Sequence, residues 1–495
     1  MKIKGKLKLI SVIILAILCQ ACGEDKPFKP TESQNPWPDD YSQFISLNDR
    51  AKWGTYNVHD PSIKKFGDTY YSFSTDHVFF GRMEDVLRDA DCTPGYIDIR
   101  KSKDLVHWDF VGWAFDSIPF EALNYVDSIN NYGEFGRTSK NLWAPYVLEM
   151  NGVYRMYYCL STFGKKNSFI GLAEAEKLEG PWIPKGCVVK TDTTSVMNAI
   201  DPTVMQDMST GKYWMIYGSF FGGIFAVELD EETGLTAKAG DQGHLVAHRK
   251  NWQRDNMEAP DILYNKENGK YYLFVSYGPL VTNYNVRVSV SDHPQGPYKD
   301  YFGNDVAKEI NSYPILTAPY RFDNHSGWAG MAHCSVFDDG EGNYYLASQG
   351  RLQPENMKLN LCVRQMFFNR DGWPFVSPER YAGDQTEPLS PEKMRGEWEI
   401  VIIEDREAQH ELVDGQVVST KLQDTEVNIS KHVHITERDI INFDDSSDFF
   451  DLSVNGKKYK NLKVFVGHDW ENSKKTLLFS GLDVDGHSVW GKKIN

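Results

Sequence analysis

Three acidic residues that could carry chemistry each lie one or two residues before a proline, in the stretches HDPSI (59–63), IDPTV (200–204) and MEAPDI (257–262). They are Asp60, Asp201 and Glu258. Proline fixes its own φ and pushes the preceding residue toward an extended conformation, so each stretch is typical of the start of a strand. A single Asp-Pro is usually a turn or a cap. Three acids at matching strand starts indicate either acid–base chemistry or a cation site.

The cleavage of a glycosidic bond requires two carboxyl groups in different protonation states. One stays protonated and donates to the leaving oxygen, while the other stays ionised and either activates water or attacks directly. Acids that lie close together repel each other, so their pKa values separate. The aromatic content of 13% suits stacking on sugar rings, although most of these side chains must form the core. The three acids therefore favour a glycoside hydrolase.

The elements that must position these acids are short strands that recur along the chain. Five runs are aromatic and β-branched and are bounded by turn residues, and long helical periodicity is absent, which predicts an all-β fold. A unit of roughly 50 residues that recurs in this way is typical of a β-propeller with four-stranded blades. We predict five blades, with residues 116–140 inserted between the first two. The runs are TYYSFSTD (69–76), VYRMYYCLST (153–162), KYWMIYGSFF (212–221), KYYLFVSYG (270–278) and NYYLASQG (343–350).

Each run follows a glycine-containing turn and an apolar strand start. The innermost strands of a propeller converge on its axis at one end, so we expect Asp60, Asp201 and Glu258 to meet there. His333, at the fifth start, would complete a ring of polar residues, although a lone histidine is usually a satisfied core residue. The five starts are HDPSI (59–63), LWAPYV (142–147), IDPTV (200–204), MEAPDI (257–262) and AHCSVF (332–337).

The composition divides the chain into a propeller over residues 46–385 and a C-terminal domain over residues 392–495. The second part contains alternating stretches such as KHVHITERDIINF (431–443) and KTLLFSGLDV (475–484). Alternation of apolar and polar residues is typical of half-buried strands. We therefore predict a small β-sandwich or barrel, which has no obvious catalytic cluster.

The N-terminus begins with alternating lysines and an apolar segment, Leu9 to Leu18. This segment is too short to span a bilayer, which needs about 20 apolar residues, and it indicates a secretory signal over residues 1–21. Cys22 follows a small alanine and resembles the lipidated cysteine of bacterial lipoproteins; Cys19, after a bulky leucine, fits less well. A plain cleaved signal is the alternative. The polar, proline-rich residues 22–45 would tether a secreted lipoprotein to the outer membrane at the cell surface.

The charge and the cysteines exclude several classes of protein. The formal net charge of −16 argues against nucleic acid or an anionic membrane surface as a partner, so membrane contact is expected through the lipid anchor alone. Apart from Cys19 and Cys22, the five remaining cysteines are scattered, odd in number and without CxxC spacing. They indicate buried thiols rather than a zinc site or a disulfide framework. These cysteines are Cys92, Cys159, Cys187, Cys334 and Cys362.

The five-bladed layout with the motifs HDPSI, LWAP, NAIDP, GSFFGGI and MEAPDI resembles glycoside hydrolase family 43, in particular its endo-α-1,5-L-arabinanases. The resemblance covers about residues 55–385, and the C-terminal domain resembles the family's own through residues 462–493. It implies that Asp60 is the general base that activates water and that Glu258 is the general acid. Asp201 would raise the pKa of the acid and help to hold it. The family inverts configuration, so the base and the acid should be far enough apart to admit a water.

The resemblance also implies a sugar-binding cleft lined by NAID (198–201) and GSFFGG (218–223). Two positions depart from the family pattern. Tyr146 replaces an acid that is common there, and Phe221 stands where tryptophan is frequent, which should weaken stacking on a sugar. The expected substrate-binding residues are Asp60, Trp143, Asn198, Ala199, Ile200, Asp201, Ser219, Phe220 and Phe221.

His333 matches the metal-binding histidine of the family, and the implied ion is calcium. Calcium prefers oxygen ligands, so water should supply most of its coordination shell. Arg364 lies in a stretch that resembles the last blade, where it could reach the cleft or pack within a strand.

Taken together, the sequence predicts a monomeric, inverting endo-arabinanase that acts on the α-1,5-linked backbone of arabinan or arabino-oligosaccharides. An exo-acting α-L-arabinofuranosidase or β-xylosidase of the same family is one alternative, because the insertion at 116–140 could block one end of the cleft. A non-catalytic, glycan-binding surface lipoprotein is the other. The presence of all three acids argues against this second alternative.

Overall fold

The computed structural model describes residues 53–76, 95–130, 141–249, 257–308, 310–353, 359–383, 387–406, 412–413, 416–417, 422 and 424–494. The predicted signal, Cys22 and the tether lie outside these ranges. No helix within them is long and apolar enough to cross a membrane.

Four separate sheets, each of four antiparallel strands joined in chain order, follow one another in the described part of the chain up to residue 317. In each sheet the first two strands are connected by a tight turn with a glycine at positive φ, a conformation that costs glycine no steric strain. The glycines are Gly67, Gly152, Gly211 and Gly269. The strands are β1 (His59–Phe66), β2 (Thr69–Thr75), β3 (Tyr96–Ser102) and β4 (Asp109–Phe115); β5 (Trp143–Met150), β6 (Val153–Leu160), β7 (Ser168–Ala175) and β8 (Ile183–Thr191); β9 (Thr203–Gln206), β10 (Tyr213–Tyr217), β11 (Ile224–Leu229) and β12 (His244–Ala247); β13 (Met257–Asn265), β14 (Lys270–Tyr277), β15 (Asn285–Ser291) and β16 (Ile315–Thr317).

A larger, seven-stranded sheet comes next. Four of its strands, β19 to β22, pair successively in the antiparallel pattern of the preceding sheets. Strands β18 and β17 extend from β20, and a short strand from later in the chain, β26 (Asn428–Ile429), pairs with β17 in parallel. The other strands are β17 (Tyr320–Arg321), β18 (Trp328–Ala329), β19 (Cys334–Asp338), β20 (Tyr344–Leu352), β21 (Asn360–Phe368) and β22 (Pro374–Val376).

The sheets form a β-propeller, and the predicted aromatic runs are its second strands, β2, β6, β10, β14 and β20. The predicted starts lie at the first strands β1, β5, β9, β13 and β19. Within the predicted insertion, one helix, α1 (Phe120–Ile129), buries Ala122 and Val126 in a core cluster with Tyr158 and Phe169 of the second sheet. This stretch of the insertion therefore packs against the propeller.

The C-terminal part of the chain forms one antiparallel sheet of seven strands in the order β27-β23-β32-β31-β30-β29-β28. A one-turn helix, α2 (Pro391–Met394), precedes it, and two 3₁₀ turns, Asp424–Glu426 and Glu437–Asp439, lie between strands. The seven strands are β23 (Gly396–Ile403), β27 (Lys431–Ile435), β28 (Ile440–Asp444), β29 (Phe449–Val454), β30 (Lys457–Asp469), β31 (Lys474–Leu482) and β32 (Ser488–Lys493). Two further short strands, β24 (Leu412–Val413) and β25 (Gln416–Val417), pair with each other in a separate sheet.

The propeller and the C-terminal sheet share one hydrophobic cluster. Tyr320 of the propeller meets Trp490 of the C-terminal sheet with ring centroids 5.1 Å apart, and both side chains are buried. Ser480 donates a hydrogen bond of 2.7 Å to the carbonyl oxygen of Val376 across the same boundary. Arg364, fully buried, packs over both rings and donates to the Tyr320 hydroxyl at 2.7 Å. Of the two interpretations of Arg364, packing within a strand is therefore confirmed.

Candidate active site

A residue in the left-handed region of backbone space stands at or just before the first strand of each sheet. Such a conformation costs roughly 1–2 kcal/mol for a residue with a Cβ, so surrounding contacts must hold it. The first strands β1, β5 and β13 also carry an irregular register just after this point, which is the signature of a β-bulge. The residues and their φ angles are Asp60 (52°), Ala144 (37°), Asp201 (56°), Ala259 (55°) and His333 (49°).

Side chains from a neighbouring sheet hold four of these five residues by accepting a hydrogen bond from the backbone N–H. The bonds tie adjacent sheets together at the end of the propeller where the acids lie. They join Asp60 N to Gln349 Oε1 at 3.2 Å, Ala144 N to Thr75 Oγ1 at 2.8 Å, Ala259 N to Asp201 Oδ2 at 3.1 Å and His333 N to Ser276 Oγ at 2.9 Å.

This register corrects one expectation from the sequence. Glu258 was expected at the same place in its sheet as Asp60 and Asp201, and this is wrong by one residue. The left-handed position in the fourth sheet belongs to Ala259, so Glu258 occupies the place that His59 has in the first sheet. Asp60 and Glu258 nevertheless belong to one site, because the charge of Asp60 acts on Glu258.

Asp60 is a buried carboxylate surrounded by hydrogen-bond donors. His333 Nδ1 lies 2.8 Å from its Oδ1, and His59 Nδ1 lies 2.6 Å from its Oδ2. The Thr75 hydroxyl also donates to Oδ2 at 2.8 Å. Burial raises the pKa of Asp60, but the charges and hydrogen bonds of His333 and His59 outweigh burial and hold this pKa well below 3.8. Asp60 is therefore ionised at neutral pH, as a general base must be.

Glu258 and Asp201 form the opposite case. Burial raises the pKa of Glu258, even though hydroxyls donate to both of its oxygens: Tyr284 to Oε1 at 2.7 Å and Ser219 to Oε2 at 2.8 Å. Burial, reinforced by the charges of Glu258 and Asp60, raises the pKa of Asp201 to about 8. The two carboxyl groups titrate as a pair, and together they keep a proton near neutral pH.

His333 faces Asp60 with one ring nitrogen, and Nε2 makes no hydrogen bond with any described residue. A histidine whose first nitrogen is held by a carboxylate can offer the second one to a metal, so the arrangement fits a cation at Nε2. Burial lowers the pKa of His333, but the charge of Asp60 dominates and raises it to about 9, so a cation would have to displace a proton. Three groups of acidic and histidine side chains within the described ranges could hold an ion, and none includes His333. Water would therefore supply most of the other ligands.

The predicted sugar-binding residues occupy two kinds of position. Ser219 contacts Glu258 directly, whereas Phe220 is 38% exposed and Phe221 is half-buried, with Lys166 Nζ 5.9 Å from its ring centroid. Trp143 is half-buried at the start of β5.

Three neighbouring residues of NAID support the loop from inside. Ser168 donates to Asn198 Oδ1 at 2.6 Å, the Ala199 N–H donates to Thr191 Oγ1 at 3.0 Å, and Ile200 is buried. The assignment of these residues as sugar contacts stays a prediction. Tyr146, the first departure from the family pattern, is buried and donates to the carbonyl oxygen of Val204 at 2.9 Å.

Sequence reasoning missed several residues that hold the acids. His59 stands directly before Asp60, and its histidine type was a usable signal. Thr75 and Ser276 could have been found because each is a hydroxyl residue at the seventh position of its strand, β2 and β14. Tyr284 comes from the segment before β15, and no spacing rule connects it to Glu258.

An ionised carboxylate and a carboxyl pair that retains a proton, together at one end of a propeller, define a class of protein: a glycosidase that works with two carboxyl groups. Comparison with known proteins agrees. The model of glycosyl hydrolases family 43 matches residues 54–374, and that of a C-terminal lipocalin-like domain matches residues 378–491. The chain belongs to glycosyl hydrolases family 43.

Individual relatives share most of the chain. It is 30% identical over 491 residues to an extracellular endo-α-(1→5)-L-arabinanase of Thermotoga petrophila, with 91% of this chain and 96% of the relative covered. It is 28% identical over 337 residues to an extracellular exo-α-(1→5)-L-arabinofuranosidase of Cellvibrio japonicus, with 65% and 86% covered. The crystal structure of the endo-1,5-α-L-arabinanase from Thermotoga petrophila in complex with Tris superposes with a TM-score of 0.72 at 27% identity, covering 89% of this chain and 99% of that one.

Proposed function

We propose that the protein is an inverting endo-α-1,5-L-arabinanase that hydrolyses internal linkages of arabinan and arabino-oligosaccharides. The observation that carries this proposal is the opposite pKa shift of neighbouring carboxyl groups: downward for Asp60, upward for Glu258 and Asp201. An inverting glycosidase needs this division, because base and acid act in the same step.

The proposed mechanism assigns one task to each acid. Asp60 takes a proton from a water whose oxygen attacks the anomeric carbon. Glu258 gives its proton to the glycosidic oxygen as the bond to the anomeric carbon breaks, so the product has the inverted configuration. Asp201 shares with Glu258 the proton that the coupled pair retains, and in the state in which Asp201 is ionised its charge favours the proton on Glu258. Asp201 also accepts from the backbone N–H of Ala259, the residue after Glu258. Proton exchange with solvent restores both groups.

Endo rather than exo action is supported by how much of the chain each relative shares. The endo-acting relative corresponds to 91% of the chain, including the C-terminal domain, whereas the exo-acting relative corresponds to 65%. The decisive experiment is digestion of linear α-1,5-arabinan. We expect an early fall in viscosity, mixed oligosaccharides before monomer, and a first-formed product with inverted anomeric configuration in the NMR spectrum. Arabinose as the sole product from the first minutes would establish exo action. Cleavage of xylosides without cleavage of arabinan would show that the proposed substrate is wrong.

Within the propeller we propose five blades, the fifth formed by β19 to β22. Two observations support this count. The innermost strands β1, β5, β9, β13 and β19 contact one another in a closed circuit, and Gln349 of β20 accepts from Asp60 of β1. We further propose domain bounds of 46–385 and 392–495, with the C-terminal sheet curved into a barrel or sandwich, as the lipocalin-like match suggests.

We also propose that calcium binds at Nε2 of His333, with water as its main remaining ligand. Bound there, the ion would supply positive charge that lowers the pKa of nearby carboxylates. Equilibrium dialysis with calcium should show one bound ion per chain that His333→Ala removes, while His293→Ala, at the half-exposed His293, leaves it. Binding that survives His333→Ala would place the ion elsewhere.

For the cell, we propose a secreted, monomeric lipoprotein anchored through Cys22. The signal-like segment and the extracellular relatives support secretion. Mass spectrometry of the purified membrane form should show diacylglycerol on Cys22. After Cys22→Ala, cell fractionation should find no protein in the membrane fraction. A mature chain that begins elsewhere and is freely released would support a plain cleaved signal.

A further inference from the structure

The segment just before β15 connects the site to the C-terminal domain. Tyr284 in this segment is fully buried, and its hydroxyl donates to Oε1 of Glu258 at 2.7 Å. Within the described residues this carboxyl group is the only hydrogen-bond partner of that hydroxyl. Burial raises the pKa of Tyr284 well above 10, and the Glu258 charge raises it further, so the phenol keeps its proton and remains a donor.

This contact gives the two oxygens of Glu258 different roles. If the acidic proton lay on Oε1, the buried phenol would lose its acceptor, and a buried donor without an acceptor is costly. With the proton on Oε2, Tyr284 still donates to Oε1, and the freely rotating Ser219 hydroxyl beside Oε2 can donate or accept. The geometry therefore selects Oε2 as the oxygen that carries the proton to be transferred.

The C-terminal domain binds side chains on both sides of Tyr284. Asp405, just after β23, accepts from Asn283 Nδ2 at 3.1 Å with Oδ1 and pairs with Arg287 Nη2 at 2.5 Å through Oδ2. Arg287 is fully buried and also donates to Asn285 Oδ1 at 2.7 Å. One carboxylate of the second domain thus fixes residues directly before and three residues after Tyr284.

We propose that Tyr284 is a positioning residue for Glu258 and that Asp405 keeps Tyr284 in place, so that the C-terminal domain completes the setting of the general acid. This inference rests on the proposed role of Glu258 as that acid. It gives the second domain a part in catalysis although none of its described residues lies among the three acids.

The first test is Tyr284→Phe in the full-length chain, because this change removes only the hydroxyl. On linear arabinan we expect kcat to fall ~10-fold, since a misplaced acid donates its proton less effectively. On the 2,4-dinitrophenyl glycoside of arabinobiose, whose leaving group needs no proton, the fall should be less than about twofold. Loss of a donor to the carboxylate should also move the alkaline limb of kcat upward by about one pH unit.

Two results would contradict the role of Tyr284. Equal losses on both substrates with an unchanged pH profile would mean that the hydroxyl is only structural, and wild-type behaviour would mean that it is dispensable. The matched control is Tyr298→Phe, which removes another fully buried hydroxyl, bonded to the carbonyl oxygen of Pro294 at 2.7 Å. It should leave the ratio of the two rates unchanged.

The second test is Asp405→Ala, with Asp405→Asn as a milder variant if the first does not fold. We expect the same selective loss on arabinan as for Tyr284→Phe, smaller in size, and the same upward shift of the alkaline limb. The control is Asp444→Ala, which breaks another Asp–Arg pair across the domain boundary, with Arg370 Nη2 at 2.7 Å. If Asp405 and Asp444 variants lose stability alike and neither changes the substrate ratio, the C-terminal domain does not act on the acid.

Glu258→Gln, assayed in parallel, distinguishes a wrong assignment of Glu258 as the general acid from a wrong assignment of Tyr284 as its positioning residue. If Glu258→Gln retains arabinan hydrolysis, the proposed function of Glu258 is wrong. If Glu258→Gln is inactive on arabinan but active on the dinitrophenyl glycoside while Tyr284→Phe matches the wild type, the proposed function stands and only this inference is wrong.

Discussion

At the scale of single residues, Asp60 and Glu258 show how neighbours set the chemistry of a carboxyl group. Burial raises the pKa of both, because it favours the neutral form. Asp60 stays ionised because two imidazoles contact it, whereas the hydroxyls at Glu258 do not overcome its burial. The same side-chain chemistry therefore suits the proposed base in one place and the proposed acid in the other.

The pairing of Asp201 with Glu258 predicts a change in pH dependence for Asp201→Asn. Activity requires protonated Glu258, so it falls as pH rises through the pKa of the pair. Without the negative charge of Asp201, Glu258 should lose its proton at lower pH, and the alkaline limb of kcat should move down by about one unit or more, with a lower maximum rate. The measurement is a pH–rate profile on linear arabinan.

A control for this prediction is Asp207→Asn, at the end of the same β9 hairpin, where the hydroxyl and N–H of Ser209 hold the carboxylate. The alkaline limb of kcat for Asp207→Asn should match that of the wild type. An alkaline limb that does not move in Asp201→Asn would show that Asp201 does not tune the acid.

Phe221 offers a second prediction at this scale. It is half-buried beside Lys166. At this position the family pattern described in the sequence analysis frequently has tryptophan. A larger ring offers more stacking surface, so Phe221→Trp should lower KM for arabinan about two- to fivefold with little change in kcat. Phe302→Trp, at an exposed phenylalanine in the connection between β15 and β16, should change neither. An unchanged KM in Phe221→Trp would remove this residue from the cleft.

How much of the site the sequence predicts depends on how local the signal is. Asp60 and Asp201 were found from the residue pair that each forms with proline, and Glu258 from a motif of the same kind. Tyr284 was not found because it reaches Glu258 across 26 residues, through a fold that no local pattern encodes. The one-residue difference in register at Glu258 was missed because the left-handed turn depends on a contact with the preceding sheet.

At the scale of elements, the propeller is held together at the catalytic end by the side chains that bond the left-handed residues. Thr75 at the end of β2 makes two such hydrogen bonds. Its hydroxyl oxygen accepts from Ala144 N in the next sheet, and its hydroxyl group donates to Asp60 Oδ2. A single threonine therefore fixes both the turn of a neighbouring strand and the orientation of the base.

The strands themselves could be predicted, because aromatic and β-branched runs bounded by glycine turns follow from local propensity alone. The extra strands β17, β18 and β26 could not. They are only two residues each, and β26 joins its sheet from 107 residues after β17 in the chain, which only tertiary packing determines.

Thr75→Val tests this double role. The isosteric change removes the hydroxyl and leaves the Ala144 N–H buried without an acceptor, which should lower the free energy of unfolding by about 1–3 kcal/mol. Because Asp60 also loses a donor, kcat should fall more than stability alone would explain. The measurements are urea unfolding and kcat at a temperature where the variant is folded.

Thr69→Val, at the other end of β2, is the comparison for Thr75→Val, since the Thr69 hydroxyl bonds to the exposed Asp68. It should change stability by less than about 0.5 kcal/mol. Equal effects of the two substitutions would show that the hydroxyl of Thr75 has no special part in joining the sheets.

At the scale of the whole molecule, the boundary between the domains is built like a protein interior. Aromatic rings from both sides share one cluster, and a buried group of charges lies beside it. Lys492 of the C-terminal sheet pairs with Glu379, which follows the last propeller strand, at 3.2 Å, and with Asp469 and Glu471 of its own domain at 3.0 and 2.5 Å. The lysine nitrogen thus lies at the centre of three carboxyl groups, where its positive charge stands in the position that a metal ion could take.

The substitution Lys492→Met would remove this charge and should destabilise the folded protein. Three buried acids would then face one another unpaired, and losing one partner of a buried ion pair typically costs about 3–5 kcal/mol. Without the lysine, the pKa values of these acids in the folded state should lie above their unfolded values near 4, so stability should fall as pH rises above about 4. In the wild type, the pKa of Lys492 is already raised well above 10.5 by these acids, although burial opposes the charge, so its contribution persists up to that pH.

Urea unfolding at pH 5 and pH 8 checks this prediction. Lys492→Met should be less stable than the wild type at both values, with a larger deficit at pH 8, and both domains should unfold in one transition because they share a core. Lys493→Met, at the adjacent partly exposed lysine, should show a small deficit that does not depend on pH. If Lys492→Met is as stable as Lys493→Met at pH 8, or if its deficit is larger at pH 5, then the buried charges do not hold the two domains together.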